Sequence, residues 1–293
     1  MKTTAPAWRV SDVRAVPGDS AFLIDNGKTA ILCDTGFGFT GERIVGNIRR
    51  VLNDRAPDYV FLTHSHYDHA LAAVSVKNAF PCVRIAAGEY AARIFEKPTA
   101  KAVMHDLDRK CAASYGIADC LDLTEQLRAD LVVCDGERVA DTGFSAISLP
   151  GHTRCSVGYY DENSGFFVSP ETLGVYYGDD GYIPAFLVGY QMTLDAFARA
   201  RQLDITAMLL PHWGLIAGAD APVFLDRSEA AVRETAEWVL GCIRRGMDDA
   251  RILDEYTARI YSDSLSEAYP PDAFRLNSSI MIGIIRREMA GGR

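Results

Sequence analysis

The chain has 293 residues, 48% hydrophobic, 24% charged and 10% aromatic, an ordinary globular composition that excludes disordered, collagen-like and low-complexity readings. Its 39 acidic and 30 basic residues leave a formal net charge of −9, which argues against nucleic acid or an anionic membrane surface as the main partner, since both demand a surplus of Lys and Arg. No apolar run reaches the about 18 residues of a membrane span.

At roughly 150 residues per domain, the length fits about two domains, or one large α/β domain with an appendage. The opening stretch Met1 to Val10 carries one Lys and one Arg and lacks the apolar core of a signal peptide, so a cytoplasmic location is expected. Cys33, Cys82, Cys111, Cys120, Cys134, Cys155 and Cys242 form an odd set without a Cys-x-x-Cys pair, which reads as buried free thiols in a reducing compartment.

The first elements in chain order are β. Ser20 to Leu23 and Thr29 to Leu32 are apolar runs around Asp25-Asn26-Gly27, a hairpin signal, and the second run ends in Asp34-Thr35-Gly36. Gly41 to Leu52 places Ile44, Val45, Ile48, Val51 and Leu52 at helical spacing. Tyr59 to Thr63 is a compact strand that stops in His64-Ser65-His66-Tyr67-Asp68-His69, and a small-residue helix is expected from Ala70 to Ala79. Val83 to Ala87 reads as a strand, and Glu89 to Ala113 as helix with a break at Pro98. Val139 and Ala146 to Leu149 read as β, ending at Pro150-Gly151-His152. Val157 to Tyr160 and Gly165 to Val168 form a hairpin around Asn163-Ser164-Gly165. Leu194 to Leu203 is helical, and Ala207 to Leu210 is a strand that stops at Pro211-His212-Trp213-Gly214. From there the pattern is helical, over Val223 to Ile243, Leu253 to Leu265 and Ala273 to Met289. The fold class is therefore α/β. A division into a mixed domain over 1–220 and a helical extension over 221–293, docked on the side of the active site, is expected.

The chemistry is concentrated in the histidines. There are six, and three crowd into His64-x-His66-x-Asp68-His69. In an extended segment residues i and i+2 share a face, so His64 and His66 can reach one point, while Asp68 and His69 follow the turn of the chain and can serve a second. Imidazole and carboxylate donors suit zinc or iron. His152 and His212 also stand just past strands, where loops at one end of a sheet bring distant segments together. A lone histidine at a strand end is ordinarily a capping or core residue. Five of six so placed form a site, while His105, inside a helical stretch, reads as structural.

Thr63-His64-Ser65-His66-Tyr67-Asp68-His69 resembles the His-x-His-x-Asp-His motif of the metallo-β-lactamase superfamily. Pro150-Gly151-His152-Thr153, Leu32-Cys33-Asp34-Thr35-Gly36 and Pro211-His212-Trp213-Gly214 resemble its other motifs, in order, over roughly residues 20 to 220. The resemblance implies an αββα metallo-β-lactamase sandwich, here with the C-terminal helical extension, and a binuclear site at one sheet edge. His64, His66 and His152 would hold the first metal, and Asp68, His69 and His212 the second. Asp34 would orient a ligand. Most of the family bridges the metals with an Asp in a Gly-Asp pair after a strand. Here Glu171 falls at that place and is favoured as the bridge, with Asp179 of Gly178-Asp179 as its rival. Cys155, near the site, reads as packing.

The implied activity is hydrolysis of a thioester, lactone or other carboxylic ester by a metal-activated hydroxide, with Asp68 as proton acceptor. The alternatives are a phosphodiesterase and a metal-retaining regulatory protein with little turnover. The cofactors would be two divalent ions, zinc or iron, with manganese a third option. The partner would be a small-molecule substrate, met by the aromatic stretch Val175 to Met192 with Tyr176, Tyr177, Tyr182, Phe186 and Tyr190. The helical tail resembles the quinolone-signal response (PqsE-like) branch, which implies two irons in a pocket capped by C-terminal helices, thioesterase action and action through protein partners. The other use of the apolar face of those helices is a homodimer.

Overall fold

The structure, a computed structural model, describes residues 8–118 and 120–291, so residues 1–7 of the opening stretch read above for a leader lie outside the described residues. Strands β1 (Arg9–Asp12), β2 (Phe22–Asp25) and β3 (Ala30–Cys33) form an antiparallel meander, with Asn26-Gly27 at the β2–β3 turn. Gly27 adopts φ +86°, and Asn26 Oδ1 accepts from the amides of Lys28 and Thr29, which is the chemistry expected of Asn-Gly there. Helix α1 (Gly41–Leu52) crosses to β4 (Tyr59–Leu62), which pairs parallel to β3. Helices α2 (Tyr67–Ala70) and α3 (Ala73–Ala79) lead to β5 (Arg84–Gly88), and α4 (Glu89–Phe95) and α5 (Pro98–Ser114) to β6 (Leu131–Val133), both again parallel. The second sheet is built from β7 (Phe144–Ser148), β8 (Val157–Asp161) and β9 (Phe166–Val168). A small hairpin, β10 (Val175–Tyr176) with β11 (Tyr182–Ile183), and helix α6 (Tyr190–Ala200) precede its last strands, β12 (Ala207–Leu210) and β13 (Gly214–Ala217). Helices α7 (Asp220–Arg244), α8 (Asp249–Ile260) and α9 (Pro271–Ile285) close the chain, the last continuing as one π turn over Arg286–Ala290.

The sheets run β1-β2-β3-β4-β5-β6 and β13-β12-β9-β8-β7. They stack face to face, because their strands alternate between two apolar environments. Ile31, Tyr59, Phe61, Phe144, Tyr159, Phe166 and Leu209 meet in the space between the sheets. Leu32, Val60 and Leu62 point the other way, onto α1 and α3. Phe167, Met208 and Leu210 point onto α6, α7 and the last helices in one continuous core. This is an αββα sandwich, with both faces of each sheet covered, and it explains why the inner strands read as unbroken apolar runs. Tyr159 ties the layers: its ring stacks on Phe61 at 4.4 Å and its hydroxyl donates to Leu62 O at 2.8 Å. No helix among the described residues is long and apolar enough to cross a membrane.

Some local expectations change. Strands β1, β6, β10, β11 and β13 carry at most a short apolar run and are not among the expected elements. Val139 lies in the turn before β7, its amide donating to Phe144 O, and is not a strand residue. The helix expected over Ala70 to Ala79 begins earlier, at Tyr67, and is broken at Leu71-Ala72. Pro98 opens α5 at a position where its missing amide costs nothing. Of the cysteines, Cys33, Cys111, Cys155 and Cys242 are buried, but Cys82 and Cys134 are exposed and Cys120 half-buried; all seven are free.

The turn after β3 is pinned from α5. Asp108, buried, accepts from Gly38 N at 2.8 Å and from the Cys120 thiol at 3.0 Å. Burial pushes its carboxyl from 3.8 up to about 6, against the hydrogen bonds that lower it. A folded pKa above the unfolded one means that stability is fully present below pH 3.8 and is lost as pH rises through about 6. Asp108→Asn, which keeps an acceptor for Gly38, should therefore raise stability at pH 7 by about 2 kcal/mol and flatten its fall between pH 4 and 7, read by urea unfolding at several pH values.

Candidate metal centre

The site forms where strands of both sheets end. Asp34 follows β3, and Thr63 to His69 follow β4. His152 follows β7, Glu171 follows β9, and His212 follows β12. Backbone hydrogen bonds hold these ends together: Val157 N donates to Thr63 O at 2.8 Å across the sheets, and Thr35 N to His69 O at 2.7 Å. Gly151 is required beside His152, because a Cβ there would collide with Thr193 Oγ1.

All seven side chains read from the sequence come together. His64, His66, His152 and Glu171 form one group, and Asp68, His69 and His212 a second, each with its donor atoms within 4.8 Å of one another. Glu171 stands between them. Its Oε2 is 2.8 Å from His152 Nε2, 3.5 Å from His64 Nε2 and 3.6 Å from His69 Nε2, while its Oε1 is 3.1 Å from His212 Nε2. Asp68 Oδ2 lies 3.6 Å from His69 Nε2 and 3.9 Å from His212 Nε2. Asp179 is exposed and stands outside both groups. Cys155 is also outside them; its thiol sits between Ser65 Oγ at 3.3 Å and Thr153 Oγ1 at 3.2 Å, as packing predicts. His105 lies on α5, far from the cluster in sequence and 3.9 Å from Asp122.

Hydrogen bonds fix which nitrogen faces inward in three of the rings, those of His64, His69 and His152. His69 Nδ1 donates to Asp34 Oδ2 at 2.7 Å, and His152 Nδ1 to Ala185 O at 2.7 Å. The Thr63 hydroxyl has one hydrogen, which Asp34 accepts at 2.9 Å, so it must accept in turn from His64 Nδ1 at 3.0 Å. In the neutral rings of His64 and His152 each Nε2 is left with a lone pair aimed into the cluster. His64 Nε2 and His69 Nε2 are buried without a hydrogen-bond partner, and His152 Nε2 faces His66 Nδ1 at 3.0 Å. Buried nitrogens of this kind are costly unless something electrophilic meets them. The chemistry of the set, imidazole with carboxylate and no thiolate, fits divalent cations.

Charge follows the same division. Burial, with His69 nearby, lowers His64 to about 3, and burial with His64 and His152 drives His66 well down. Burial also acts against charge on His69, but the Asp68 and Asp34 carboxylates outweigh it and raise that imidazole to about 10. Burial raises Asp68, while His152 and His212 overcome burial at Glu171 and hold it low.

Three contributors were not read from the sequence. Thr63 relays Asp34 to His64, and its place directly before the motif was the available signal. Ala185 acts through its carbonyl, and Arg14 donates to His212 O; neither leaves a mark in the sequence. The aromatic stretch divides. Tyr177 lies parallel to His212 at 6.5 Å between ring centroids, but Phe186 is fully buried in the core.

The model of the metallo-beta-lactamase superfamily matches residues 16–212. A protein of Dictyostelium discoideum named Glyoxylase B2 is 25% identical over 169 residues, 54% of this chain and 52% of that protein, so the match spans about half the length of that relative. A metallo-beta-lactamase family protein from Thermus thermophilus is similar in structure at 18% identity, over 92% of this chain and 88% of that one, with a TM-score of 0.60. A superfamily protein from Sulfolobus tokodaii shares 16% identity over 77% of this chain and 86% of that one, with a TM-score of 0.55.

Two outcomes follow from the site's geometry. Asp34→Ala removes the partner of His69 Nδ1 and of Thr63, and should weaken metal binding by about 10- to 100-fold in chelator competition. Metal uptake must also displace the proton on His69. Between pH 7 and 9, uptake should release at least one proton and tighten by roughly tenfold per pH unit, read by calorimetry in two buffers of different ionisation enthalpy.

Proposed function

The chain belongs to the metallo-beta-lactamase superfamily, and from that premise we propose that it is a binuclear metal-dependent hydrolase of thioesters, lactones or other carboxylic esters. One observation carries the reading: two clusters of nitrogen and oxygen donors, with Glu171 reaching into both. His64, His66 and His152 would hold one divalent ion, and Asp68, His69 and His212 the other. Zinc and iron suit these donors best, with manganese third. When bound, two such ions supply Lewis acidity towards a carbonyl oxygen and bring the pKa of a water towards neutrality.

The chain's own residues do the rest. Asp34 and Thr63 hold the rings of His69 and His64 with their Nε2 atoms inward. Asp68, beside His69 and His212, is placed to accept a proton from an attacking water. Thioesters head the substrate classes on chemical grounds. A departing thiolate, with a pKa near about 8.5, leaves without being protonated, so no separate general acid is needed. The likeness to a protein named Glyoxylase B2 favours an enzyme over a metal-stabilised regulator.

Elemental analysis of protein purified without added metal should give two ions per chain. His66→Ala should lose the first ion and cut kcat/KM on a thioester panel by at least about 100-fold. Glu171→Ala should lose at least one ion and Asp179→Ala neither. Full occupancy without turnover on thioester, lactone, ester and phosphodiester panels would instead identify a metal-retaining regulator.

A further inference from the structure

His212 is held differently from the other histidines of the cluster. His64, His69 and His152 each have Nδ1 fixed by a hydrogen bond, to Thr63, Asp34 and Ala185. The Nδ1 of His212 is buried with no partner among the described residues. Its backbone stands at φ +60°, a left-handed conformation that a residue other than glycine keeps only when its surroundings enforce it.

The surroundings do so at three points. Arg14, itself paired with Asp12, donates to His212 O. The His212 ring lies parallel to Tyr177, with an interplanar angle of 19°. The next residue, Trp213, packs edge-on against Tyr176 at 4.6 Å, so two consecutive residues of one segment grip two of the other. Tyr177 in turn lies parallel to Tyr269, at 5.9 Å and 21°. These are offset-parallel separations at which aromatic rings attract.

Tyr269 belongs to the loop between α8 and α9 and is anchored at every end. Its carbonyl accepts from Tyr261 Oη at 2.5 Å and its hydroxyl from Asn277 Nδ2 at 2.6 Å. Its ring meets the buried Phe274 edge to face at 5.5 Å and 79°. A column of three rings thus runs from the C-terminal helices to a side chain of the cluster.

We propose that Tyr177 and Tyr269 are positioning residues for His212, through which the helices after residue 220 set the affinity of the Asp68–His69–His212 position for its divalent ion. The inference rests on the reading of that group as a metal position. The column does for this ring what the Nδ1 hydrogen bonds do for the others. Because the rings act in series, the far one works only through the near one.

The test is a cobalt(II) titration of the full chain, followed by visible absorption and chelator competition, with wild type expected to bind in two steps. Tyr177→Leu and Tyr269→Leu should each weaken one of the two ions by about 10- to 100-fold and leave the other nearly unchanged. Tyr269→Phe, which keeps the ring and loses only the hydrogen bond from Asn277, should weaken the same ion by much less than Tyr269→Leu does. The double variant should be no weaker than Tyr177→Leu alone, the non-additivity of residues in series. Should Tyr269→Leu fail to fold, Asn277→Leu, which frees the Tyr269 hydroxyl and removes no ring, should weaken the same ion by a smaller factor. Equal weakening of both ions, no weakening of either, or additive losses would overturn the column. A wild type that binds fewer than two ions would instead overturn the metal reading beneath it.

Discussion

The carboxylate of Asp34 is the constraint on which the rest of the site depends. It is buried, at a left-handed backbone position (φ +52°) directly after β3. A carboxylate in such a place is tolerated only with a full set of donors. It has them: Thr63 N at 2.8 Å, the Thr63 hydroxyl, Ser20 Oγ at 3.3 Å and His69 Nδ1 at 2.7 Å. Its partners come from the end of β4, from α2 and from the segment before β2. The same contacts that satisfy the buried charge therefore fix the start of the histidine segment and orient two of its rings. Fold and site share these atoms, so a change at Asp34 acts on both.

The sequence was legible where burial is two-sided or one-sided with a clear period. Residues 30–33 and 59–62 alternate between two apolar layers, so every position is hydrophobic and the strands stand out. Helix α1 shows its buried stripe at Ile44, Val45, Ile48 and Leu52, and its expected bounds are those observed. The strands that were missed, β1, β6, β10, β11 and β13, all lie at sheet edges. An edge strand pairs on one side, leaves residues such as Arg9, Val132 and Leu215 exposed, and has too short an apolar run to announce it. The same logic applies to the site. Histidine is scarce, so its clustering carries information. A carbonyl such as that of Ala185 carries none, and Arg14 is one of many arginines until the fold brings it to His212 O.

The glutamate at position 171 shows how local backbone absorbs a change of side-chain length. Pro170 ends the extended segment after β9, and Glu171–Leu173 turns at once into a short 3-10 helix, closed by Gly174 at φ +86°. The acid thus starts from a turn and reaches sideways into the cluster, and both its oxygens find imidazole nitrogens, His152 on one side and His212 on the other. Asp179 has the shorter side chain and sits in the Gly-Asp pair, yet it lies exposed in the next turn. Position after the strand, not the identity of the neighbouring glycine, decides which carboxylate meets the histidines.

The distribution of donors over the two sheets has a further mechanical consequence. In the first group His64 and His66 follow a strand of one sheet, while His152 and Glu171 follow strands of the other. In the second, Asp68 and His69 come from the first sheet and His212 from the second. Each group therefore spans the joint of the sandwich, where the direct ties include Val157 N to Thr63 O, the Tyr159 hydroxyl to Leu62 O and Arg14 to His212 O. Burial leaves His64 Nε2 and His69 Nε2 without water or a hydrogen-bond partner, which costs free energy. A cation held by them together with His152 or His212 would replace that cost with a cross-link between the sheets, so its binding free energy would appear as stability of the folded state. The features that prepare the site for chemistry, dry walls and converging lone pairs, are thus the ones that oppose folding at this edge of the sandwich.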